Sequence, residues 1–286
     1  MQKKVKITSD STCDLSPELI VKYDIGICPL FITLDDEYHR DGVDITPDDV
    51  YAFYDKTGRL AKSAAANIAD YTDFWEAEKE GYDELIHFNI SSTMSATHNN
   101  ARMAAEEMDG IYAVDTANLS TGSGLLVLKA AELANEGKSA AEIIEAIDNL
   151  RSKVDASFVI DSLTYLHKGG RCSTLAALGA NVLKLKPCIE VKNGSMGVGK
   201  KYRGRFDLVL KDYIADRLAN GDDIDLDRVF VTHAGCDEEM VNNVVAMVKE
   251  ALPFKELLIT RAGCTVSAHC GRNTLGVLFI RKSDLQ

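Results

Sequence analysis

The 286-residue chain has no apolar run that reaches the roughly 18 residues needed to span a bilayer. Its start, Met1-Gln2-Lys3-Lys4-Val5-Lys6, is basic but leads straight into a short strand, without the longer apolar core of a signal peptide. Its seven cysteines are odd in number, lie at 13, 28, 172, 188, 236, 264 and 270, and form no CxxC pair. That is the usage of a reducing compartment, with thiols acting as small hydrophobes. The chain is therefore read as cytoplasmic. Positive charge is also short: 32 Lys and Arg against 44 Asp and Glu leave a net −12. Such a balance repels nucleic-acid phosphates and allows at most transient contact with anionic membranes. The one basic stretch, Lys200-Lys201-Tyr202-Arg203-Gly204-Arg205, reads as the solvated flank of a hairpin or a docking contact for an acidic partner.

Nucleotide and metal motifs are missing as well. No GxGxxG fingerprint follows the first strand. Gly194-Ser195-Met196-Gly197-Val198-Gly199-Lys200 nearly spells a phosphate-binding loop, but Lys201 stands where Ser or Thr should ligate magnesium, and the segment reads as a hairpin arm. Gly122-Ser123-Gly124 is no nucleophile elbow and reads as a close-packed helix start. Cys264, His269 and Cys270, with or without Cys236, match no standard zinc spacing. No cofactor is expected.

What is present is an alternation of strand and helix patterns, which argues an α/β fold. Val5 to Thr8, Leu85 to Ile90 and Ile111 to Val114 read as strands. Ser16-Pro17-Glu18, Thr46-Pro47-Asp48-Asp49 and Ser139-Ala140-Ala141-Glu142 read as helix starts. After about residue 155 strands become denser, and Asn193-Gly194 between Ile189–Lys192 and Met196–Lys200 signals a hairpin. Arg228 to Thr232, Leu257 to Thr260 and Leu275 to Ile280 are further strands, with an amphipathic helix near Glu238 to Ala251. The domains expected are 1–154 and 155–286. With no low-complexity linker between them they should pack closely and leave a ligand crevice at their junction.

Three strand ends carry hydroxyls: Ser9 to Thr12, Ser91 to Thr97, and Thr116 with Ser120 and Thr121. Ligands sit at the carboxyl ends of parallel strands, where helix N-termini add free N–H groups. Hydroxyls and amides without lysine or arginine suit one small oxyanion, such as a carboxylate, better than a polyphosphate. Any single serine there also reads as an N-cap or turn former.

Two further segments complete the pattern. Phe158 to Ser173, FVIDSLTYLHKGGRCS, runs from a strand end into Gly169-Gly170-Arg171, and His269 sits in the small-residue loop Val266-Ser267-Ala268-His269-Cys270-Gly271. Together with Ser91-Ser92-Thr93-Met94-Ser95-Ala96-Thr97 and the opening Thr8 to Leu15, they resemble the DegV family over essentially the whole chain. The serine run matches that family's Ser-Ser-x-Leu-Ser-Gly-Thr loop. The family's Thr-Ser-Gln-Pro-Ser loop reads Lys62-Ser63-Ala64-Ala65-Ala66-Asn67 here, where only Ser63 keeps a hydroxyl. The family's His-x-Gly-Pro-Gly loop reads His269-Cys270-Gly271-Arg272-Asn273.

The resemblance implies a two-domain fold, an N-terminal parallel three-layer α/β/α domain and a C-terminal two-layer mixed-sheet domain, clasping one long-chain fatty acid. It implies that Ser63, Ser92, Ser95 and His269 hold the carboxylate, with either Ser92 or Ser95 in direct contact. It assigns Arg171 to partner docking or acyl-phosphate recognition. It further implies no catalysis by the chain itself, which would present its ligand to a separate ATP-binding kinase subunit. Two rivals stand beside it. One is a substrate subunit like that of dihydroxyacetone kinase, in which His269 binds a small carbonyl compound covalently. The other is a member that has lost lipid binding, as the alanine run 64–66 allows.

Overall fold

The computed structural model describes residues 3–170 and 185–285; Arg171 lies outside the described residues. The first half runs β1 (Val5–Asp10), α1 (Pro17–Lys22), β2 (Gly26–Cys28), β3 (Phe31–Leu34), β4 (Glu37–Arg40), α2 (Pro47–Thr57), β5 (Lys62–Ala64), α3 (Ile68–Glu78), β6 (Glu84–Asn89), α4 (Thr97–Ala105), β7 (Ile111–Asp115), α5 (Ser120–Asn135) and α6 (Ala140–Arg151). Strands β2-β1-β6-β7 form a parallel sheet. Its two faces read off β6 by alternation. Ile86 and Phe88 pack with Leu126, Ala130, Ile143 and Ile147 of α5 and α6. Leu85 packs with Tyr71, Trp75, Ala101 and Ala104 of α3 and α4. Covered on both faces, β1 and β6 are buried throughout, and their polar residues pair across the sheet, Thr8 with His87 Nδ1 at 2.8 Å and Ser9 with the Phe88 carbonyl at 3.1 Å.

The second half runs β8 (Val154–Asp155), β9 (Ser157–Ile160), α7 (Thr164–Gly169), β10 (Lys186–Lys192), β11 (Ser195–Tyr202), α8 (Phe206–Arg217), β12 (Ile224–Ala234), α9 (Glu238–Ala251), β13 (Glu256–Arg261), α10 (Cys264–Cys270) and β14 (Thr274–Arg281). Its mixed sheet has the order β11-β10-β9-β14-β12-β13, with β8 on β14; among the described residues β12 and β13 pair parallel and its other pairs are antiparallel. Asn193 and Gly194, both at positive φ (50° and 77°), turn the β10–β11 hairpin.

Two connections tie the halves together. One core joins Phe88, Leu126 and Val154 to Val191, Phe230 and Leu278 across both sheets. A small antiparallel sheet β4-β3-β5 from the first half carries α10 from the second. Cys264 and Ala268, one turn apart on α10, bury against Ile32, Ile45 and Val50. The segment expected as the His269 loop is therefore a helix, and this face is the reason: its small residues let α10 lie close on the sheet.

Candidate functional site

Between the halves lies a cavity of about 310 Å³. The first half lines it with Leu30, Ile90 and Met94, and the second with Phe158, Val191 and Leu278. Gly276 on β14 also lines it, and a side chain is excluded there because a Cβ would stand 2.6 Å from the Ser157 carbonyl oxygen.

The polar end is built from two distant segments. Ser63 on β5 and His269 on α10, 206 residues apart, meet at Oγ···Nε2 2.8 Å. Both are half-buried. Both also line a cleft on the outside of the molecule, with Lys62, Arg59 and Lys168. The pair thus forms a wall between the cavity and the surface. Gly169, at the end of α7, leaves room for the imidazole: a Cβ there would stand 2.7 Å from His269 Nδ1. Gly170 follows at φ +66°, the left-handed turn that ends α7.

Ser95 also lines the cavity, accepting from Thr97 N–H at 3.2 Å and donating to Thr97 Oγ1 at 2.9 Å. Ser92 stands apart. It is exposed, its N–H donates to Asp115 Oδ1, and it is not among the lining residues. Of the remaining strand-end hydroxyls, most serve the fold. Ser91 donates to Gly194 O at 2.6 Å, Thr93 bonds the same carbonyl, Ser9 donates to Phe88 O, and Thr116 to Asn89 O. The serine loop thereby holds the hairpin turn of the other sheet.

Two buried carboxylates escaped the sequence reading. Asp41 accepts from Cys264 N (2.8 Å) and Thr265 N (2.9 Å), and Asp14 accepts from Gly263 N (2.8 Å). They cap the helix that carries His269, whose own Gly263 offers no side chain to do so. Burial pushes the Asp14 carboxyl up to about 8, partly opposed by the Ser120 hydroxyl and Gly263 N–H. Its one local mark is a left-handed backbone, φ 51°.

The departures at the end of the His269 motif also have places. Arg272 pairs with Asp55 at 2.7 Å and lies 4.7 Å over the Tyr51 ring. Asn273 takes a left-handed φ of 55°, which asparagine tolerates better than most residues. Among the described residues no group of three or more His, Cys, Asp or Glu is placed to hold a metal. Burial also holds the Cys270 thiol protonated, pushed up to about 12. No helix among them is long and apolar enough to cross a membrane.

A parallel sheet and a mixed sheet thus enclose an apolar cavity walled at one end by a serine–histidine pair. The family described as "Uncharacterised protein, DegV family" matches residues 4–282, and the chain belongs to the DegV family. A DegV domain-containing protein of Caldanaerobacter subterraneus is 30% identical over 283 residues, 98% of this chain and all of that one. Two solved structures are similar along nearly their full length. A fatty-acid-binding DegV family protein from Thermus thermophilus is 26% identical with a TM-score of 0.88, covering 97% of this chain and 99% of that one. A stearic acid-binding protein from Eubacterium ventriosum is 28% identical with a TM-score of 0.84, covering 97% and 98%.

Proposed function

We propose that this chain binds one long-chain fatty acid in the cavity, with its carboxylate at Ser63, Ser95 and His269, and presents that carboxyl group to a separate ATP-dependent kinase subunit. The observation that carries the reading is the position of the Ser63–His269 pair, which faces the apolar cavity on one side and the outer cleft on the other. A carboxylate at this wall keeps its alkyl chain out of water and its oxygens within reach of a reagent from outside. Each methylene buried gains about 0.8 kcal/mol. The hydroxyls of Ser63 and Ser95 and the imidazole of His269 supply the hydrogen bonds without which a buried carboxylate costs several kcal/mol. The relatives from Thermus thermophilus and Eubacterium ventriosum, named for fatty acids, support the ligand class. The division of the chain into 1–154 and 155–286 belongs to the same reading, with each half supplying one jaw.

Native mass spectrometry of the freshly purified protein, repeated after denaturation, tests the reading. An excess mass of one fatty acid that vanishes on denaturation is the expected result. An excess that survives would mark a covalent adduct on His269, and no excess would remove the lipid. For the kinase step, His269→Ala is expected to impair phosphorylation of the bound acid by an ATP-dependent partner more than it impairs lipid retention. An unchanged rate would remove that role.

A further inference from the structure

The Ser63–His269 pair has the parts to do more than hold a carboxylate. With the ring proton on Nδ1, His269 Nε2 accepts from Ser63 Oγ at 2.8 Å, the arrangement that makes a serine nucleophilic through a neighbouring base. Both side chains line the acyl cavity, so a ligand there can touch them. The base is held firmly. Asp14 and Asp41 bond the Gly263 and Cys264 amides at the start of its helix, and Cys264 and Ala268 pack that helix on the small sheet. Half-buried Ala65, two residues after Ser63, lines the same cavity, and its N–H makes no hydrogen bond to a described residue. That leaves a backbone donor close to the serine for an oxyanion formed there.

The outer cleft decides what could leave. Ser63 and His269 line it too, with Arg59, Lys62, Lys168, Asp35 and Asp36. Arg59 pairs with Asp35 at 2.6 Å. Lys62 and Lys168 enter no ion pair among the described residues, and of the cleft's acidic groups only Asp36 is left to oppose them. In a chain of net charge −12 this local excess of positive charge suits a leaving group that carries phosphate. An acyl chain in the cavity then has its carbonyl at the wall, with its leaving group and the attacking water both on the cleft side.

We infer that Ser63 and His269 hydrolyse long-chain acyl groups carried on a phosphate-bearing leaving group. Ser63 Oγ attacks the acyl carbonyl carbon and gives its proton to His269 Nε2. The bond from that carbon to the leaving oxygen or sulfur breaks, and the leaving atom keeps the electron pair and takes the proton. Water then attacks the Ser63 ester and gives a proton to His269 Nε2, which returns it to the departing Ser63 oxygen. The fatty acid is left with its carboxyl group at Ser63, Ser95 and His269. The inference rests on the fatty-acid reading above for its acyl class and adds an activity to it.

Two readouts test it. Hexadecyl fluorophosphonate captures serines that a base activates. It is expected to label the wild type at Ser63, located by peptide mass mapping, and to label neither Ser63→Ala nor His269→Ala. Release of hexadecanoic acid from hexadecanoyl phosphate and from hexadecanoyl-coenzyme A is then followed against buffer. At least a hundredfold acceleration is expected for one or both, lost in both variants, and the substrate that responds identifies the source of the acyl group. Lys62→Ala should narrow the preference for that substrate over 4-nitrophenyl hexadecanoate about tenfold. Buffer-rate hydrolysis and an unlabelled Ser63, in protein that still retains hexadecanoic acid, overturn the inference and leave the fatty-acid reading standing. So does hydrolysis that survives Ser63→Ala. Protein that neither retains the acid nor hydrolyses either substrate overturns both.

Discussion

Asp41 and Cys264 are 223 residues apart in the chain and 2.8 Å apart at the site, carboxylate oxygen to backbone nitrogen. The bond matters because Cys264 begins the helix whose last turn holds His269. Asp41→Ala would leave the N–H groups of Cys264 and Thr265 buried without acceptors, at a cost of about 2–4 kcal/mol in all. We expect thermal unfolding some 5–10 °C lower and weaker retention of ligand. Asp41→Asn, which keeps one acceptor oxygen, should fall between. A melting temperature equal to the wild type would show that α10 needs no cap from the first half.

Ser92 and Ser95 separate by exposure. Ser95→Ala should weaken fatty-acid retention about ten- to a hundredfold, the worth of one hydrogen bond to a charged group. Ser92→Ala should leave it unchanged, since Ser92 faces solvent. Displacement of a fluorescent fatty acid from each variant checks the pair, and the reverse order of effects would reassign the loop.

Gly169→Ala probes the fit around the imidazole. The added methyl would stand 2.7 Å from His269 Nδ1, so the ring must move and its bond to Ser63 must lengthen. Gly169 is not at a positive φ, so the backbone accepts alanine. Ligand retention should drop to about the level of His269→Ala while the melting temperature stays within a few degrees. Retention equal to the wild type would mean the ring has space that Gly169 does not provide.

Stability should fall on both sides of a narrow pH range. Burial raises Asp10 to about 6 and Asp14 to about 8. Their protonated forms favour the folded state, so this contribution is complete below about pH 4 and is lost as pH rises through 6 and then 8. His87 moves the other way: burial lowers it to about 3, so its contribution is present above about pH 6.5 and fades as pH falls toward 3. Asp14→Asn should therefore lose less stability than the wild type between pH 6 and pH 9 in chemical denaturation. An unchanged slope in the variant would point to another group.

Much of the scaffold was legible in the sequence because its signals are local. Leu85 to Phe88 is apolar apart from His87 because both its faces are covered, and Asn193-Gly194 announces its turn by the left-handed backbone it needs. The helix starts at Ser16, Thr46 and Ser139 carry their own caps, and each makes the expected bond. By contrast, β3 to β5 are short and half-exposed, with Glu37-Tyr38-His39-Arg40 in place of an apolar alternation. Helix α10 has no local cap and only cysteine and alanine on its packed face, so neither end nor period betrays it. At the site, the motif resemblance singled out Ser63, Ser95 and His269, which the fold brings to one cavity. It could not separate Ser95 from Ser92, because the turn that aims one inward and one outward is not written in their chemistry.

The span between Ser63 and His269 also sets a clock. A ribosome adding about 5–20 residues per second needs roughly 10–40 s to travel from one to the other. Throughout that interval the nascent chain holds Asp14, Asp41 and Ser63 without their partners on α10. A chain that ended before residue 263 would lack the α10 N–H groups that Asp14 and Asp41 hold and the imidazole that meets Ser63, so the Ser63–His269 wall is among the last parts of this protein to be made.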